Sequence, residues 1–240
     1  MADPSVYVGK DLEAMSFAIN YHKWILDELK PFIGQHVVEV GAGTGSFSEL
    51  LLELKPQSLA LVEPSEMFFS LEKNIANRTG ETDLSLYHTV FTDAAGTIAA
   101  KQRPDTVIYV NVLEHIEDDE HELKAVFDTL ADGGHCLIFV PALMSLYGEF
   151  DRKVGHFRRY SKKELEQKCR AAGFSIVRSF FFDIAGVLPW YVKYRMLNSD
   201  SLGSQAVTAY DNLVVPIMRR IEPVIGVPIG KNLLAVLRKA

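Results

Sequence analysis

The chain has 240 residues, of which 48% are hydrophobic and 23% charged. That is enough for one α/β domain with a full core and is ordinary for a globular protein. A net charge of −6 and a pI near 5.7 give no electrostatic footprint for nucleic acid, which excludes RNA or DNA as the expected partner. Cys136 and Cys169, the two cysteines, stand in no C-x-x-C or Cys/His cluster. Neither a disulfide framework nor a zinc site is expected, no metal is expected, and both thiols read as small hydrophobes.

The first residues, Met1 to Ser5, lack the basic and apolar regions of a signal peptide, so a cytoplasmic protein is expected. Asp11 to Lys30 reads as a helix, with Met15, Ala18, Tyr21, Trp24, Ile25 and Leu29 on one stripe and Pro31 as its stop. The stripe suits packing on a sheet, but the helix enters just before the next motif. Tyr21 and Trp24 are therefore also candidates to border a ligand.

Gln35 to Val40 is a strand. It runs into Gly41-Ala42-Gly43-Thr44-Gly45 and then an amphipathic helix from Ser46 to Leu54. Strand, glycine turn and helix form the phosphate- or nucleoside-binding corner of a doubly wound sheet. A dinucleotide G-x-G-x-x-G would need glycine at 46, where this chain has Ser46, and Glu39 places a carboxylate two residues before the first glycine. A carboxylate there suits a ligand with a cationic end and no pyrophosphate. The next strand, Ser58 to Glu63, ends in an acid twenty-two residues after Gly41, a position from which a carboxylate accepts hydrogen bonds from ribose hydroxyls. Pro64-Ser65-Glu66-Met67 opens a helix, with Ser65 as N-cap and Met67 placed against a flat base.

Asn77 to Asp83 is a polar loop and Leu84 to Phe91 a third strand, with Thr92 and Asp93 at its end; Asp93 could equally cap a helix. The fourth strand, Thr106 to Val110, leads into Asn111-Val112-Leu113-Glu114-His115-Ile116, across the topological switch point where ligands bind. Glu117, Asp118 and Asp119 favour the positive end of a helix from Asp119 to Leu130. Asp132-Gly133-Gly134 closes it, and His135 to Val140 is the fifth strand. Alternation of strand and helix to this point indicates a parallel, doubly wound sheet.

A loop rich in His, Arg and Tyr follows, from Leu146-Tyr147-Gly148 to Gly155-His156-Phe157-Arg158-Arg159-Tyr160. Ser161 to Glu164 reads as a capping box for a helix ending at Ala172, and Phe174 to Phe182 as a sixth strand. From 183 to 230 the alternation breaks down. Leu188-Pro189-Trp190-Tyr191 clusters there, and a helical stripe runs through Tyr210, Leu213, Ile217 and Ile221. This segment reads as a cap over the site or an oligomer surface. Phe180 to Met196, interrupted by Asp183, Pro189 and Lys193, is not a membrane span. Lys231 to Leu237 is the last strand.

On the glycine loop, Glu63, Asn-Val-Leu-Glu-His-Ile, the Gly-Gly strand and the final strand pair, the chain resembles the class I S-adenosylmethionine (SAM)-dependent methyltransferases over nearly its whole length. It is similar to bacterial small-molecule methyltransferases, including those of quinone biosynthesis. Its Gly-His-Phe-Arg-Arg-Tyr-Ser run resembles a subgroup found beside glycosyltransferase genes. The resemblance implies a seven-stranded sheet of order 3-2-1-4-5-7-6 with the last strand antiparallel, in a single domain: an N-terminal helical cap (1–34), a core (35–182), a cap insertion (183–230) and the last strand (231–240).

The resemblance also implies SAM as cofactor. Glu39, Gly41, Ala42 and Gly43 would hold its methionine end, with Asn111 and Val112 beside them. Glu63 would take the ribose, while Pro64, Ser65, Met67 and Thr92 would surround the adenine. No Asp/Asn-Pro-Pro-Tyr follows the fourth strand, which disfavours the amide N-methylation of that motif class.

The expected activity is methyl transfer to a small, partly apolar acceptor, most simply at oxygen. His156 is the preferred base and His115 the second. Tyr147, Arg158, Arg159, Tyr160 and Trp190 are the candidate acceptor contacts, the two arginines alternatively serving as structural partners of Asp151 or Glu149. C- or N-methylation of a sugar, amine or lipid-linked intermediate, a non-catalytic SAM-binding module, and a weakly supported NAD-dependent oxidoreductase are the alternatives. The partner is a small-molecule acceptor, with no stable membrane insertion and a homodimer left open.

Overall fold

The computed structural model describes residues 18–76, 80–197, 199 and 203–240. Helix α1 (Ile19–Leu29) is thus the described part of the helix expected from Asp11; Met15 and the residues before it lie outside the described residues. β1 (His36–Val40), α2 (Ser46–Glu53), β2 (Ser58–Val62), α3 (Met67–Ile75), β3 (Asp83–Tyr87), α4 (Phe91–Lys101), β4 (Thr106–Val110), α5 (Asp119–Thr129) and β5 (His135–Pro141) follow in strict alternation. The seven strands form one sheet of order 3-2-1-4-5-7-6, in which β7 (Asn232–Arg238) runs antiparallel to both β5 and β6 (Ser175–Phe182). This is the expected α/β architecture.

Period-two side-chain alternation splits the core into two layers. Val38 and Val40 of β1 pack with Phe91, Ile98, Leu123 and Leu165 on one face, whereas Val37 packs with Trp24, Leu29, Leu51 and Leu71 on the other. Beyond the short helix α6 (Glu149–Lys153), α7 (Lys162–Ala171) joins α4 and α5 in covering the first face, and α1, α2 and α3 cover the second. Trp24 is 1% exposed and packs tilted over Phe182, ring centroids 3.9 Å apart. Burying it contributes on the order of 3 kcal/mol. Trp24 is a core residue and is not among those that line the cavity beyond Asn111, unlike Tyr21 on the same helix. Both cysteines are buried free thiols, and burial pushes Cys169 up to about 12.

The third strand ends at Tyr87 and not at Phe91. Phe91, Ala94, Ala95 and Ile98 recur at i, i+3, i+4 and i+7 and are all buried. That helical period outweighs the β-propensity of the aromatic and β-branched residues before it. Thr92 and Asp93 therefore sit in the first turn of α4, where Asp93 favours the helix N-terminus.

Between β6 and β7 the chain forms α8 (Val187–Trp190), a π-helical turn (Tyr191–Met196), α9 (Ser204–Leu213) and α10 (Val215–Ile225). The expected stripe through Tyr210, Leu213, Ile217 and Ile221 is therefore divided between two helices. Pro216, with no N–H to donate, stands at the start of the second. Among the described residues no helix is long and apolar enough to cross a membrane.

Candidate active site

The glycine loop turns because all three glycines adopt left-handed backbone, with φ of 70°, 57° and 94° at Gly41, Gly43 and Gly45. Their surroundings differ. A Cβ on Gly41 would lie 2.3 Å from Val112 Cγ2, so this glycine lets the β4 loop close against β1. One on Gly45 would lie 3.0 Å from Leu71 of α3, whereas one on Gly43 would meet only the Met67 methyl, at 3.9 Å. Gly43 is the glycine facing open space, between Met67 and Glu63.

Two buried carboxyls flank it. Glu39 shares the β1 face that carries Val37, toward α2, and there it accepts from the Ser48 hydroxyl. Burial pushes its carboxyl up to about 8, and the nearby Glu63 adds to this although Ser48 opposes it. Glu63 accepts from the Gly43 N–H at 2.8 Å and from the Ser65 N–H at 2.9 Å. The Ser65 hydroxyl accepts in turn from the Met67 N–H at 3.2 Å, holding the first turn of α3. A loop left open by the missing Cβ of Gly43, a carboxyl at the end of each of two adjacent strands and a thioether alongside fit SAM. Glu39 would face its ammonium and Glu63 its ribose, with Pro64 and Met67 bordering the base.

A second region lies past Asn111. That residue has φ of 54° and donates its N–H to the Phe139 carbonyl at 2.8 Å. It lines a cavity of about 230 Å³ that also takes in Tyr21, Glu114, His115, His156, Arg159 and Trp190. Because Val112, the next residue, packs on Gly41, the donor loop and this cavity meet at Asn111–Val112.

In the cavity wall, Asp151 is fully buried. Its Oδ1 accepts from His156 Nδ1 at 2.9 Å and from Arg159 Nε at 2.8 Å, and its Oδ2 from the Gly148 N–H at 2.9 Å. Burial raises the Asp151 pKa, but His156 and Arg159 outweigh it, and the group stays below the usual carboxylate range. A carboxylate only accepts, so the proton sits on Nδ1 of His156 and Nε2 is left as acceptor. Burial lowers the His156 pKa despite Asp151, and burial with the neighbouring His156 takes His115 down to about 3. The two imidazoles meet edge to face, 4.5 Å between centroids.

Glu114, fully buried, has no hydrogen-bond partner at either oxygen, and its Oε1 lies 3.8 Å from His156 Nε2. Burial pushes it up to about 8. The Trp190 indole N–H in the same cavity is likewise unpartnered. One ligand atom each from Glu114, His115 and His156 falls within 4.8 Å of the others, a spacing that could hold a metal ion. No pattern in the linear sequence pointed to this group.

Not every expected contact reaches the cavity. Arg158 pairs with Asp119 at 2.6 Å and donates to the Glu117 carbonyl at 2.7 Å, and it does not line the cavity. Tyr160 is buried, its hydroxyl 2.6 Å from Asp119, which also holds Lys168. Asp119 thus pins the loop to α5 and α7, and Arg158 and Tyr160 are structural. Tyr147 donates its hydroxyl to the His156 carbonyl at 2.7 Å, positioning that residue. Arg159 does reach the cavity, its guanidinium 4.8 Å from the Trp190 ring.

Sequence reasoning missed the opposite wall. Asp183, at φ 63°, accepts from the Tyr21 hydroxyl at 3.0 Å and from the Tyr210 hydroxyl, and it pairs with Lys231 at 3.1 Å. Lys231 lies 4.9 Å from the Tyr21 ring and 5.3 Å from that of Trp190. Tyr21 therefore borders the cavity beyond Asn111. Asp211 of α9 accepts from the Asn20 and Tyr21 N–H groups at 3.0 and 2.8 Å and caps α1, which has no capping side chain of its own.

A family model described as a methyltransferase domain matches residues 17–179. No curated protein matches the sequence. Among solved structures, a chain of the Haloferax volcanii complex between the Trm112 methyltransferase activator and a methyltransferase is similar, with 15% identity, 97% of each chain covered and a TM-score of 0.60. A SAM-dependent methyltransferase from Archaeoglobus fulgidus has 16% identity, 92% and 94% coverage and a TM-score of 0.57. The cyclopropane synthase MmaA2 of Mycobacterium tuberculosis has 11% identity, 91% and 83% coverage and a TM-score of 0.59. At these identities the likenesses speak to the fold alone. The family model, which spans most of the chain and contains both the glycine loop and the His156 loop, identifies the protein as a member of the class I SAM-dependent methyltransferases.

Proposed function

We propose that this methyltransferase methylates a hydroxyl of a small, partly apolar acceptor bound in the cavity beneath residues 183–230, with His156 as the base. The supporting observation is the His156–Asp151 pair: a buried imidazole whose tautomer is set by a carboxylate, with Nε2 directed toward an unpartnered Glu114. SAM, when bound, supplies an electrophilic methyl on sulfur. The chain's part is to bring acceptor oxygen and methyl into line, exclude water and receive the proton. His156 Nε2 takes the hydroxyl proton as the oxygen–carbon bond forms and the carbon–sulfur bond breaks. Asp151 holds the ring and Tyr147 the backbone carbonyl of the same residue, and the Trp190 N–H and Arg159 orient the acceptor.

In this reading the chain is one domain, residues 183–230 serving as a cap over the cavity. The helices of that segment supply Trp190, Tyr194, Val207 and Tyr210 to its lining, which supports an acceptor with apolar surface.

The unpartnered Glu114 favours one second reading, N-methylation of an amine whose ammonium it would receive before deprotonation. Product analysis of hydroxyl and amine forms of one acceptor scaffold separates the two. Replacement of His156 by Ala tests the base: turnover should collapse while SAM affinity holds. Unchanged turnover would remove the assignment.

A further inference from the structure

Among the described residues seventeen large hydrophobic side chains are exposed, and eleven of them lie between Leu188 and Ile229 in the insertion. In α10 they form a stripe. Ile217, Ile221 and Val224 recur at helical spacing and are 56%, 42% and 83% exposed, while Val215 and Glu222 on the opposite side are buried. Leu213, at the end of α9, is exposed just before α10, and Arg220 is exposed beside the stripe. A second exposed group, Leu188, Tyr191, Val192, Met196 and Leu197, surrounds Arg195. Patches of this kind mark an interaction surface.

The charge pattern selects the partner. Residues 183–230 hold four cations, Lys193, Arg195, Arg219 and Arg220, and four acids in a chain of net charge −6. Of those acids Asp183, Asp211 and Glu222 are buried and already engaged, Asp183 by Tyr21 and Lys231, Asp211 by the start of α1 and Glu222 by the Asp183 and Ile184 N–H groups. The fourth, Asp200, lies outside the described residues. Arg219 pairs with Asp27 of α1, which leaves Lys193, Arg195 and Arg220 as the cations among the apolar side chains. A two-fold contact through either group would set its exposed cation against that of a second copy.

We propose that the insertion docks on an anionic phospholipid surface, its apolar side chains entering the headgroup boundary and Lys193, Arg195 and Arg220 meeting the phosphates. The rest of the chain carries the net negative charge, which such a surface repels. The second group's helix α8 and the π-helical turn after it also line the acceptor cavity, so docking there would place the cavity beside the bilayer. The proposal itself holds whatever the acceptor's chemistry.

The test is flotation of the full chain with vesicles of phosphatidylcholine alone and of phosphatidylcholine mixed with phosphatidylglycerol, run beside sedimentation velocity. Flotation is expected with the anionic vesicles only, and raised salt should release the protein. Arg220→Ala should weaken partitioning about fivefold. Ile217→Asp combined with Val224→Asp should weaken it on the order of a hundredfold, with an unchanged melting temperature showing that the fold is intact. Absence of flotation, or equal flotation on both vesicle types, would overturn the proposal. So would a dimer in solution that the paired Asp substitutions dissociate, because the face would then be a contact between two copies.

Discussion

The donor cleft and the acceptor cavity share Asn111–Val112 but are assembled in different ways. In the cleft each polar group finds its partner nearby in the chain: Glu39 to Ser48 is nine residues, Glu63 to Ser65 two, Gly43 to Glu63 twenty. Across the cavity wall Tyr21 reaches Asp183 and Asn232 over 162 and 211 residues, and Asn20 reaches Asp211 over 191. The cleft is one strand–turn–helix unit repeated on the next strand, so it can form as soon as those strands pair. The cavity exists only once α1, α9 and β7 have converged. The cavity also holds buried groups with no partner, at Glu114 and Trp190. Such groups are costly in a folded protein unless a ligand completes them.

Substitutions on the two sides should separate the steps. The largest effect is expected for His156→Ala, a fall in kcat of roughly a hundredfold to ten-thousandfold with calorimetric SAM affinity unchanged. A parallel loss of SAM binding would mean that the two regions are not independent. On the donor side, Glu63→Ala should weaken SAM roughly ten- to a hundredfold, because hydrogen bonds to a charged group are lost while the loop N–H groups it holds are freed. Unaltered SAM affinity would sink the ribose role.

Asp211→Ala removes a cap supplied from 191 residues away. A stability loss of about 1–2 kcal/mol is expected by thermal melting, together with a higher acceptor KM and an unmoved SAM Kd.

The smallest effect concerns pH. The carboxyls of Glu39 and Glu114 are raised to about 8 by burial. Their protonated forms favour the fold below the unfolded-state value near 4.5, and that stability is lost as pH rises toward 8. Glu114→Gln should flatten the loss of melting temperature over this window. A slope identical to that of the parent protein would show that Glu114 does not titrate there.

How much of this was legible differs between the regions for the same reason. Glu39, Gly41, Gly43, Glu63 and Met67 could be read off the chain because strand-end position and glycine spacing are local properties. Even the Glu39–Ser48 contact was within reach, since residues 37 and 39 share a face and α2 follows directly. Arg158 and Tyr160 were misassigned because a dense run of Arg, His and Tyr says nothing about which side chains turn inward. Asp119, read only as an acid at a helix start, holds both, as well as Lys168. Asp183 and Lys231 carried no signal at all, a lone acid and a lone base forty-eight residues apart.

The strand–helix alternation, the switch-point position of Asn111 and the donor loop follow from the sequence by itself. They depend on period-two and period-3.6 patterning and on φ values that glycine readily adopts. Only the tertiary structure decided which residues surround the acceptor. The Asp151–His156–Arg159 cluster lies within one nine-residue loop, but its burial beside the orphaned Glu114, and the cap that Asp211 places on α1, depend on segments that only the fold brings together. Burial and long-range pairing, which set their protonation and orientation, have no counterpart along the chain.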